Sequence, residues 1–362
     1  MHILVTSAKA FIFCLSGIGI VHAESYAGVA THFQAIGSPY GACGVPESVL
    51  ATDAADSGLK GRSDLNYVAL NVFDAPGNYG SPADFGGRPL TGDNLKYLGM
   101  YANGANCGRW VRIELGDECN GTNDGAPNEE FCRGGTGWYS DERNGAVLYA
   151  VVTDQCTDNN AWCRDSKYHL DIHTPALNDF EKDGVRIAPL ANGSSSENWV
   201  ATGFNNRKIS WSFTRAPLYQ GDIHIFFSQA SKAYYMRILI TNLPNGIHRV
   251  EQSTGTDASG KDIWQAATME GDMGQMWILP KSDVFTGIRI RVYDASDSLV
   301  AGGRIYEFDY PAACGTECTA AATGVEYKAI GGTDETSKIE TRKRIQIRAE
   351  SAKFFDLLGR RR

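Results

Sequence analysis

Two carboxylates in the stretch Ala150–Phe180 occupy settings that favour chemistry over simple solvation. Asp154 follows the apolar run Ala146–Val152, and Asp171 lies inside a short strand between Leu170 and Ile172. Two carboxyl groups that reach one groove can act as acid and base on a glycosidic bond. A carboxylate after a buried strand also commonly caps a turn. Both interpretations of Asp154 therefore remain open on sequence alone.

The segment around Asp171 carries three polar side chains with strand spacing. Alternation along a strand places His169, Asp171 and His173 on one face. The pattern could supply three metal ligands, a groove aspartate paired with a histidine, or a solvated face. No fourth ligand is visible, so we favour the groove and expect neither a metal nor another cofactor.

The elements that must position these residues are mostly strands. Apolar and β-branched runs bounded by Gly, Asn and Asp predict strands at Tyr67–Phe73, Arg109–Leu115, Ala146–Thr153, Tyr168–Ile172 and Ile209–Thr214. Thr174 and Pro175 predict the start of a short helix that ends at Gly184. The segment Gly116–Asn144 has almost no apolar periodicity and is predicted to be a long loop.

A second set of strands follows the punctuated link Arg215–Gly221. It comprises Ile223–Phe227, Ala233–Thr241, Met276–Leu279, Ile288–Tyr293 and Arg304–Asp309, which is typical of a small β-sandwich. We therefore predict an all-β chain with two folded units, at residues 24–215 and 216–311. A tail follows at residues 312–362.

Cysteine usage and the first residues indicate export. Residues 1–23 combine Lys9, an apolar core and the small-residue exit Val21-His22-Ala23, as in a secretory signal peptide. Eight cysteines remain after this leader, and an even number in an exported chain favours disulfides over zinc. These are Cys43, Cys107, Cys119, Cys132, Cys156, Cys163, Cys314 and Cys318. Asn120 and Asn192 begin acceptor sequons for glycosylation.

Charge narrows the class of partner. The chain carries a formal charge of -8, but the segment after Cys318 holds ten Lys and Arg against six Asp and Glu. With Lys9 also set aside, the body is near -13, which argues against nucleic acid and favours a neutral polymer. No later apolar run predicts a membrane anchor. The basic tail could form an amphipathic helix, but its composition favours a solvated, disordered segment.

Six motifs occur in the order and spacing of one known family. They are Gly28-Val-Ala-Thr-His-Phe33, Gly41-Ala-Cys-Gly44, Cys107-Gly-Arg-Trp-Val-Arg112, Val152-Thr-Asp-Gln-Cys156, His169-Leu-Asp171 and Ile209-Ser-Trp-Ser-Phe213. Across Glu24–Tyr310 the chain resembles an expansin. The resemblance implies a six-stranded double-psi β-barrel, related to family 45 glycoside hydrolases, followed by an immunoglobulin-like β-sandwich that binds carbohydrate.

The resemblance also implies roles for individual groove residues. Asp171 matches the general acid of the hydrolases, which expansins need for wall loosening. Thr31 matches a first-strand threonine that lines the groove, and Asp154 matches a second groove aspartate. His169 belongs to the same motif as Asp171. Cys156 departs from the pattern, because many bacterial expansins carry a tyrosine there.

The first strand lacks the second catalytic group of the hydrolases. Thr31 is followed by His32-Phe33-Gln34-Ala35-Ile36-Gly37, in which no carboxylate stands where the hydrolases have their base. Inverting hydrolysis needs a base that activates water opposite the acid. An acid without that base should bind and strain a glycan without cutting it, so we predict a non-enzymatic protein.

The second unit offers an aromatic pair for polymer binding. Tyr234 and Tyr235 stand where expansins carry paired tryptophans on a flat cellulose-binding surface, and aromatic rings stack well on sugar faces. Strand alternation would instead bury one of the two rings. A third platform aromatic is missing around Gly271–Met273. Trp264 and Trp277 are candidates for the platform, although a tryptophan in a small sandwich more often belongs to the core.

The resulting hypothesis is a secreted, monomeric, cell-wall protein that binds cellulose, β-glucan or xyloglucan and loosens glucan contacts without hydrolysis. The alternatives are a polysaccharide-cleaving enzyme on the same scaffold, either an endoglucanase or a peptidoglycan lytic transglycosylase, and a purely structural wall-binding lectin.

Overall fold

A computed structural model describes residues 24–56, 66–193, 199–217, 219 and 221–333. The predicted signal peptide and most of the basic tail lie outside these ranges. Within them, no helix is long and apolar enough to cross a membrane.

Eleven strands of the described residues lie before residue 215. They are β1 (Tyr26–Phe33), β2 (Tyr67–Asn71), β3 (Trp110–Thr122), β4 (Arg133–Tyr139), β5 (Val147–Cys156), β6 (Leu170–His173), β7 (Glu181–Lys182), β8 (Val185–Arg186), β9 (Ala191–Asn192), β10 (Val200–Ala201) and β11 (Arg207–Thr214). The α-helices are α1 (Glu47–Asp56) and α2 (Ala161–Asp165). Short 3₁₀ helices cover Pro82–Phe85, Gly92–Tyr97, Ala102–Gly104 and Thr174–Asp179.

Six of these strands close into a barrel. The order is β3-β11-β1-β6-β2-β5, and an additional pairing between β5 and β3 closes the ring. The pairs β1–β6 and β2–β5 are parallel, whereas the other four pairs are antiparallel. Every residue of β2 is buried, because this strand lies between β5 and β6 with both of its faces covered. The predicted all-β fold is confirmed.

Two local predictions in the barrel are wrong. The segment predicted as a long loop instead forms a ribbon in which β3 continues to Thr122 and pairs with β4. A disulfide joins Cys119 of β3 to Cys132, the residue before β4. The helix predicted to reach Gly184 ends at Asp179, and the β7–β8 hairpin follows it. Asp183 and Gly184 both have positive φ in that hairpin, as a tight two-residue turn requires.

The later strands form a sandwich of two five-stranded sheets. The strands are β12 (His224–Ser228), β13 (Arg237–Thr241), β14 (Arg249–Thr256), β15 (Asp262–Ala266), β16 (Thr268–Glu270), β17 (Met273–Ile278), β18 (Ile288–Tyr293), β19 (Ile305–Phe308), β20 (Ala322–Gly324) and β21 (Tyr327–Ile330). One sheet has the order β16-β17-β13-β12-β20 and the other β15-β14-β18-β19-β21. Further 3₁₀ helices cover Val300–Gly302 and Ala312–Cys314.

The sandwich extends beyond the predicted boundary at residue 311. Strand β20 pairs with β12, and β21 pairs with β19, so each sheet gains an edge strand from the segment that was predicted to be a tail. Tyr327 explains part of this, because its ring packs at 5.1 Å on buried Tyr306. The prediction of a disordered tail is therefore wrong for residues 312–330, and the rest of the predicted tail lies mostly outside the described residues.

Barrel and sandwich share a polar and closely packed contact. Asp53 of α1 accepts hydrogen bonds from His224 Nδ1 at 2.7 Å and Thr241 Oγ1 at 2.9 Å. Gly104 approaches the sandwich so closely that a Cβ there would lie 2.1 Å from the carbonyl oxygen of Asp272. A glycine is therefore required at this position for the two units to meet.

Candidate functional site: a polar groove on the barrel

Four residues on adjacent barrel strands form one row. Thr31 of β1 pairs with Asp171 of β6, Asp171 pairs with Ala69 of β2, and Ala69 pairs with Asp154 of β5. Directly paired residues point to the same face of a sheet. The structure thus brings the two predicted carboxylates to one face, two strand spacings or roughly 9.5 Å apart at Cα. The small side chain of Ala69 lies between them.

A β-bulge at Thr153 is what puts Asp154 in this row. Val68 pairs with Val152, but the next residue, Ala69, pairs with Asp154, so Thr153 is an extra residue in β5. Without the bulge Thr153 would stand opposite Ala69, and Asp154 would point to the other face. The bulge therefore decides whether Asp154 points to the same face of the sheet as Asp171.

Asp171 belongs to a chain of hydrogen bonds with Thr31 and His169. The Thr31 hydroxyl contacts Asp171 Oδ1 and also lies 3.0 Å from His169 Nε2. His169 is fully buried, and its Nδ1 lies 2.9 Å from the carbonyl oxygen of Val29. The structure thus brings Thr31, His169 and Asp171 into contact, while their role in polysaccharide binding stays a prediction.

The hydrogen bonds among Asp171, Thr31 and His169 determine which of these side chains carry protons. The Val29 carbonyl can only accept, so His169 Nδ1 carries a proton. The Thr31 hydroxyl has a single proton but makes two contacts, so either Asp171 or His169 Nε2 supplies the second. In either arrangement each of these protons is used within the chain, which holds the Asp171 carboxyl group in place at the edge of the groove.

Asp154 is held differently. Its Oδ1 accepts hydrogen bonds from the backbone N–H groups of Ala42 and Gln155, both at 3.0 Å. Burial raises the pKa of Asp154, and the charge of Asp171 adds to the rise, while the two N–H bonds and Arg88 oppose it. Asp154 is thus a partly buried carboxyl group with one oxygen already engaged by two backbone donors.

A cavity of about 290 Å³ opens beside Thr31 and Asp171. Its lining is mostly polar and consists of Thr31, His32, Asn123, Asp124, Cys156, Asp158, Asn160, Trp162, Cys163, Asp171 and Asn206. Asp154 is not part of this lining. Carboxylates, amides and hydroxyls on a concave surface suit a ligand rich in hydroxyl groups.

Sequence reasoning missed the walls of this cavity. Asn123 and Asp124 follow the ribbon strand β3, Asn160 and Trp162 belong to α2 or its N-cap, and Asn206 precedes β11. No motif connects these segments along the chain. The only sequence signal was the density of Asn and Asp around them, which is equally typical of turns.

The aromatic pair of the sandwich lies on the surface. Tyr234 is 66 % exposed and Tyr235 is 37 % exposed, so the alternative in which one ring is buried is wrong. The reason is local: Lys232 and Tyr235 exchange backbone hydrogen bonds, and the pair therefore sits in a tight turn where strand alternation does not apply. Tyr235 donates a hydrogen bond to Glu270 at 2.6 Å, which fixes its ring.

Other aromatic residues of the sandwich differ in exposure. Trp277 is buried in the core, as predicted, and Trp264 is half-buried beneath Arg291. Phe285, which the sequence did not single out, is 51 % exposed. It lies near the tyrosine turn, because Asp283 donates a backbone hydrogen bond to Ala233.

The eight cysteines after residue 23 form four pairs, in agreement with the predicted disulfides. The pairs are Cys43–Cys107, Cys119–Cys132, Cys156–Cys163 and Cys314–Cys318. Cys156 and Cys163 also line the cavity. The predicted glycosylation sites Asn120 and Asn192 are exposed, and their modification stays a prediction.

One group of metal-type ligands occurs among the residues that the structure describes. The ligand atoms of Cys156, Cys163 and His169 lie within 4.8 Å of one another. The two cysteines form a disulfide with each other, so His169 is the one residue of this group that could still bind a metal. In the same described ranges, His169, Asp171 and His173 do not converge as a ligand set.

Comparisons with known proteins give a distant structural likeness. No protein-family model and no curated protein matches this chain. Two crystal structures of an expansin from Clavibacter michiganensis are similar, one of a mutant in complex with cellohexaose and one of the apo protein. Each shares 16 % sequence identity, covers 83 % of this chain and 96 % of that chain, and has a TM-score of 0.43. At this distance the likeness assigns neither residues nor activity to this chain.

Proposed function

We propose that this chain is a secreted, expansin-like protein whose barrel groove binds a β-glucan chain and loosens glucan contacts without cutting the polymer. The observation that carries the proposal is the Asp171–Thr31–His169 chain at the edge of a polar cavity. Cellulose, mixed-linkage β-glucan and xyloglucan all present the hydroxyls and glycosidic oxygens that such a surface can bind.

Loosening follows from competition for hydrogen bonds. A glucan chain that enters the groove exchanges contacts with neighbouring glucans for contacts with Asp171, Asn160, Asn206 and similar side chains. Each such exchange is worth only about 0.5–1.5 kcal/mol, so several must act together. The exposed Tyr234 and Tyr235 support this by offering flat rings that hold the protein on the polymer.

We propose that the polymer is not cleaved because of how the two carboxyl groups of the row, Asp171 and Asp154, are placed. Asp171 is hydrogen-bonded to Thr31 and lines the cavity, where it can contact a glycan. Asp154 is engaged by two backbone N–H groups and does not line the cavity beside Asp171, so we do not assign it as the base. Inverting hydrolysis needs both roles filled on opposite sides of the bond.

The proposal is tested on insoluble cellulose and on mixed-linkage glucan. We expect binding and mechanical weakening of the polymer with no release of reducing sugar. Asp171→Ala should abolish the weakening, while Tyr234→Ala with Tyr235→Ala should weaken polymer retention. A protein that binds but never weakens the polymer would instead be a wall-binding lectin.

A second candidate function, glycan hydrolysis, rests on a specific observation. Asp124 and Asp158 line the same cavity as Asp171 and are additional carboxylates that could activate water. Asp124 is paired with Arg133 at 2.7 Å, which leaves Asp158 as the better base. Soluble fragments that disappear in both Asp171→Asn and Asp158→Asn would establish this function and displace the first.

We also propose that the protein is extracellular. Four disulfides fit an oxidising, extracellular compartment, and the predicted signal peptide would direct the chain there. A tagged full-length chain should therefore appear in the culture medium or wall fraction of the cells that express it.

A further inference from the structure

His32 occupies a position beside the groove that the motifs do not explain. It follows Thr31 at the end of β1 and lines the same cavity as Thr31 and Asp171. The ring packs edge-on against Phe204 at 6.1 Å, and its Nδ1 lies 3.0 Å from Thr174 Oγ1. Two elements thus fix the ring next to the place where a glycan would lie.

The hydrogen bonds around His32 assign its tautomer. The Thr174 hydroxyl donates its single proton to the carbonyl oxygen of Phe33 at 2.8 Å, so towards His32 it can only accept. His32 Nδ1 must therefore be the donor in their contact. In an uncharged ring, Nε2 is then left with a lone pair, and it makes no hydrogen bond to any residue that the structure describes.

The charged groups around His32 act in opposite directions. Burial lowers the pKa of His32, and the carboxylate of Asp171 on β6 opposes that change. Asp124 and Asp158 also line the cavity, whereas Thr174 and Phe204, which touch the ring, carry no charge. The cavity lining contains no lysine or arginine. The net result is a ring that stays uncharged to lower pH than an exposed histidine.

We propose that His32 is a glycan-binding residue that accepts a hydrogen bond at Nε2 from a sugar hydroxyl in the groove. This rests on the proposed function, because it assumes that a glycan enters the cavity. Nε2 supplies an acceptor that no described residue occupies, in a cavity whose lining also includes the amide side chains of Asn160 and Asn206, which can donate. A hydroxyl-rich ligand needs acceptors and donors of this kind side by side.

The test compares two substitutions of His32 with cellohexaose and a soluble mixed-linkage glucan as probes. His32→Leu keeps the bulk but removes the acceptor, and we expect about tenfold weaker binding, equal to about 1.4 kcal/mol. His32→Gln places an amide oxygen near the Nε2 position and should recover most of that loss. His248→Leu, at an exposed histidine of the sandwich, is the matched control and should bind as the wild type.

A pH series separates this role from a structural one. Because the pKa of His32 is lowered, protonation turns Nε2 from an acceptor into a donor only at a pH below the ordinary histidine value of about 6.5, and wild-type affinity should fall there. The wild-type protein should therefore lose more affinity than His32→Gln over this range. Melting temperatures of all variants establish that each is folded at both ends of the range.

Each of the following results overturns the inference. If His32→Leu binds as tightly as the wild type, Nε2 does not accept a hydrogen bond from the glycan. If His32→Gln fails as His32→Leu does, or follows the same pH dependence as the wild type, the acceptor role is wrong while the proposed function stands. If the folded wild-type protein binds neither probe at any pH, the proposed function fails together with the inference.

Discussion

Replacing Thr31 with valine removes the hydroxyl that joins Asp171 to His169 and leaves the side-chain shape almost unchanged. His169 is fully buried and would keep its Nδ1 bond to Val29, but Nε2 would lose its 3.0 Å contact. A buried polar atom without a partner costs about 1–3 kcal/mol. At about 3 °C per kcal/mol for a chain of this size, Thr31→Val should lower Tm by about 6 °C.

The functional effect of the same change follows from the position of Asp171. The carboxyl group would lose its hydroxyl partner, and its nearest remaining partner is His169 Nε2 at 3.6 Å. We expect about tenfold weaker binding of cellohexaose, measured by isothermal titration calorimetry. Thr31→Ser keeps the hydroxyl and loses one half-buried methyl group, so it should cost only about 0.4 kcal/mol. Equal stability and affinity for Thr31→Val and wild type would refute the hydrogen-bond chain.

Three further predictions concern stability and polymer binding. Burial lowers the pKa of His173 to about 4, so the folded state loses about 3 kcal/mol of stability as the pH falls from about 6.5 to 4. The melting temperature of His173→Phe should therefore depend less on pH than that of the wild type. An equal pH dependence of the two melting temperatures would contradict this prediction. Asp53→Ala should destabilise the contact between barrel and sandwich by about 2 kcal/mol, read from chemical denaturation, because Asp53 accepts two side-chain bonds across it. Tyr234→Ala with Tyr235→Ala should weaken retention on cellulose with a stability change under about 0.5 kcal/mol. Leu95→Ala, at a similarly exposed residue of the barrel, should leave retention unchanged. Equal retention of the double variant and the wild type would exclude the platform.

The positions of the barrel strands can be predicted from the sequence, because the alternation of apolar residues reflects which side chains are buried. The runs around Tyr67, Arg109 and Ile209 all became barrel strands. The ribbon β3–β4 was not predicted, because it is largely exposed and rich in glycine and so lacks the apolar alternation of a half-buried strand. Residues after 311 were misjudged for a related reason, since two short edge strands bury few side chains.

The groove shows what sequence can and cannot supply about a site. The residue types at Thr31, His169 and Asp171 indicated the chemistry, and their contact appears in the structure. The bulge at Thr153 could not be foreseen, because one extra residue in a strand leaves no composition signal. His32 was passed over for lacking a carboxylate, although only its hydrogen bond to Thr174 reveals what its ring can do.

Binding and product analysis of one sample test the central claim most directly. Cellohexaose is titrated into the folded protein, and the mixture is then analysed by mass spectrometry after prolonged incubation. We predict saturable binding that Asp171→Ala weakens, with cellohexaose recovered intact. Shorter oligosaccharides that form with the wild type and not with Asp171→Asn would contradict the claim of loosening without cleavage, and the absence of any binding would contradict the groove itself.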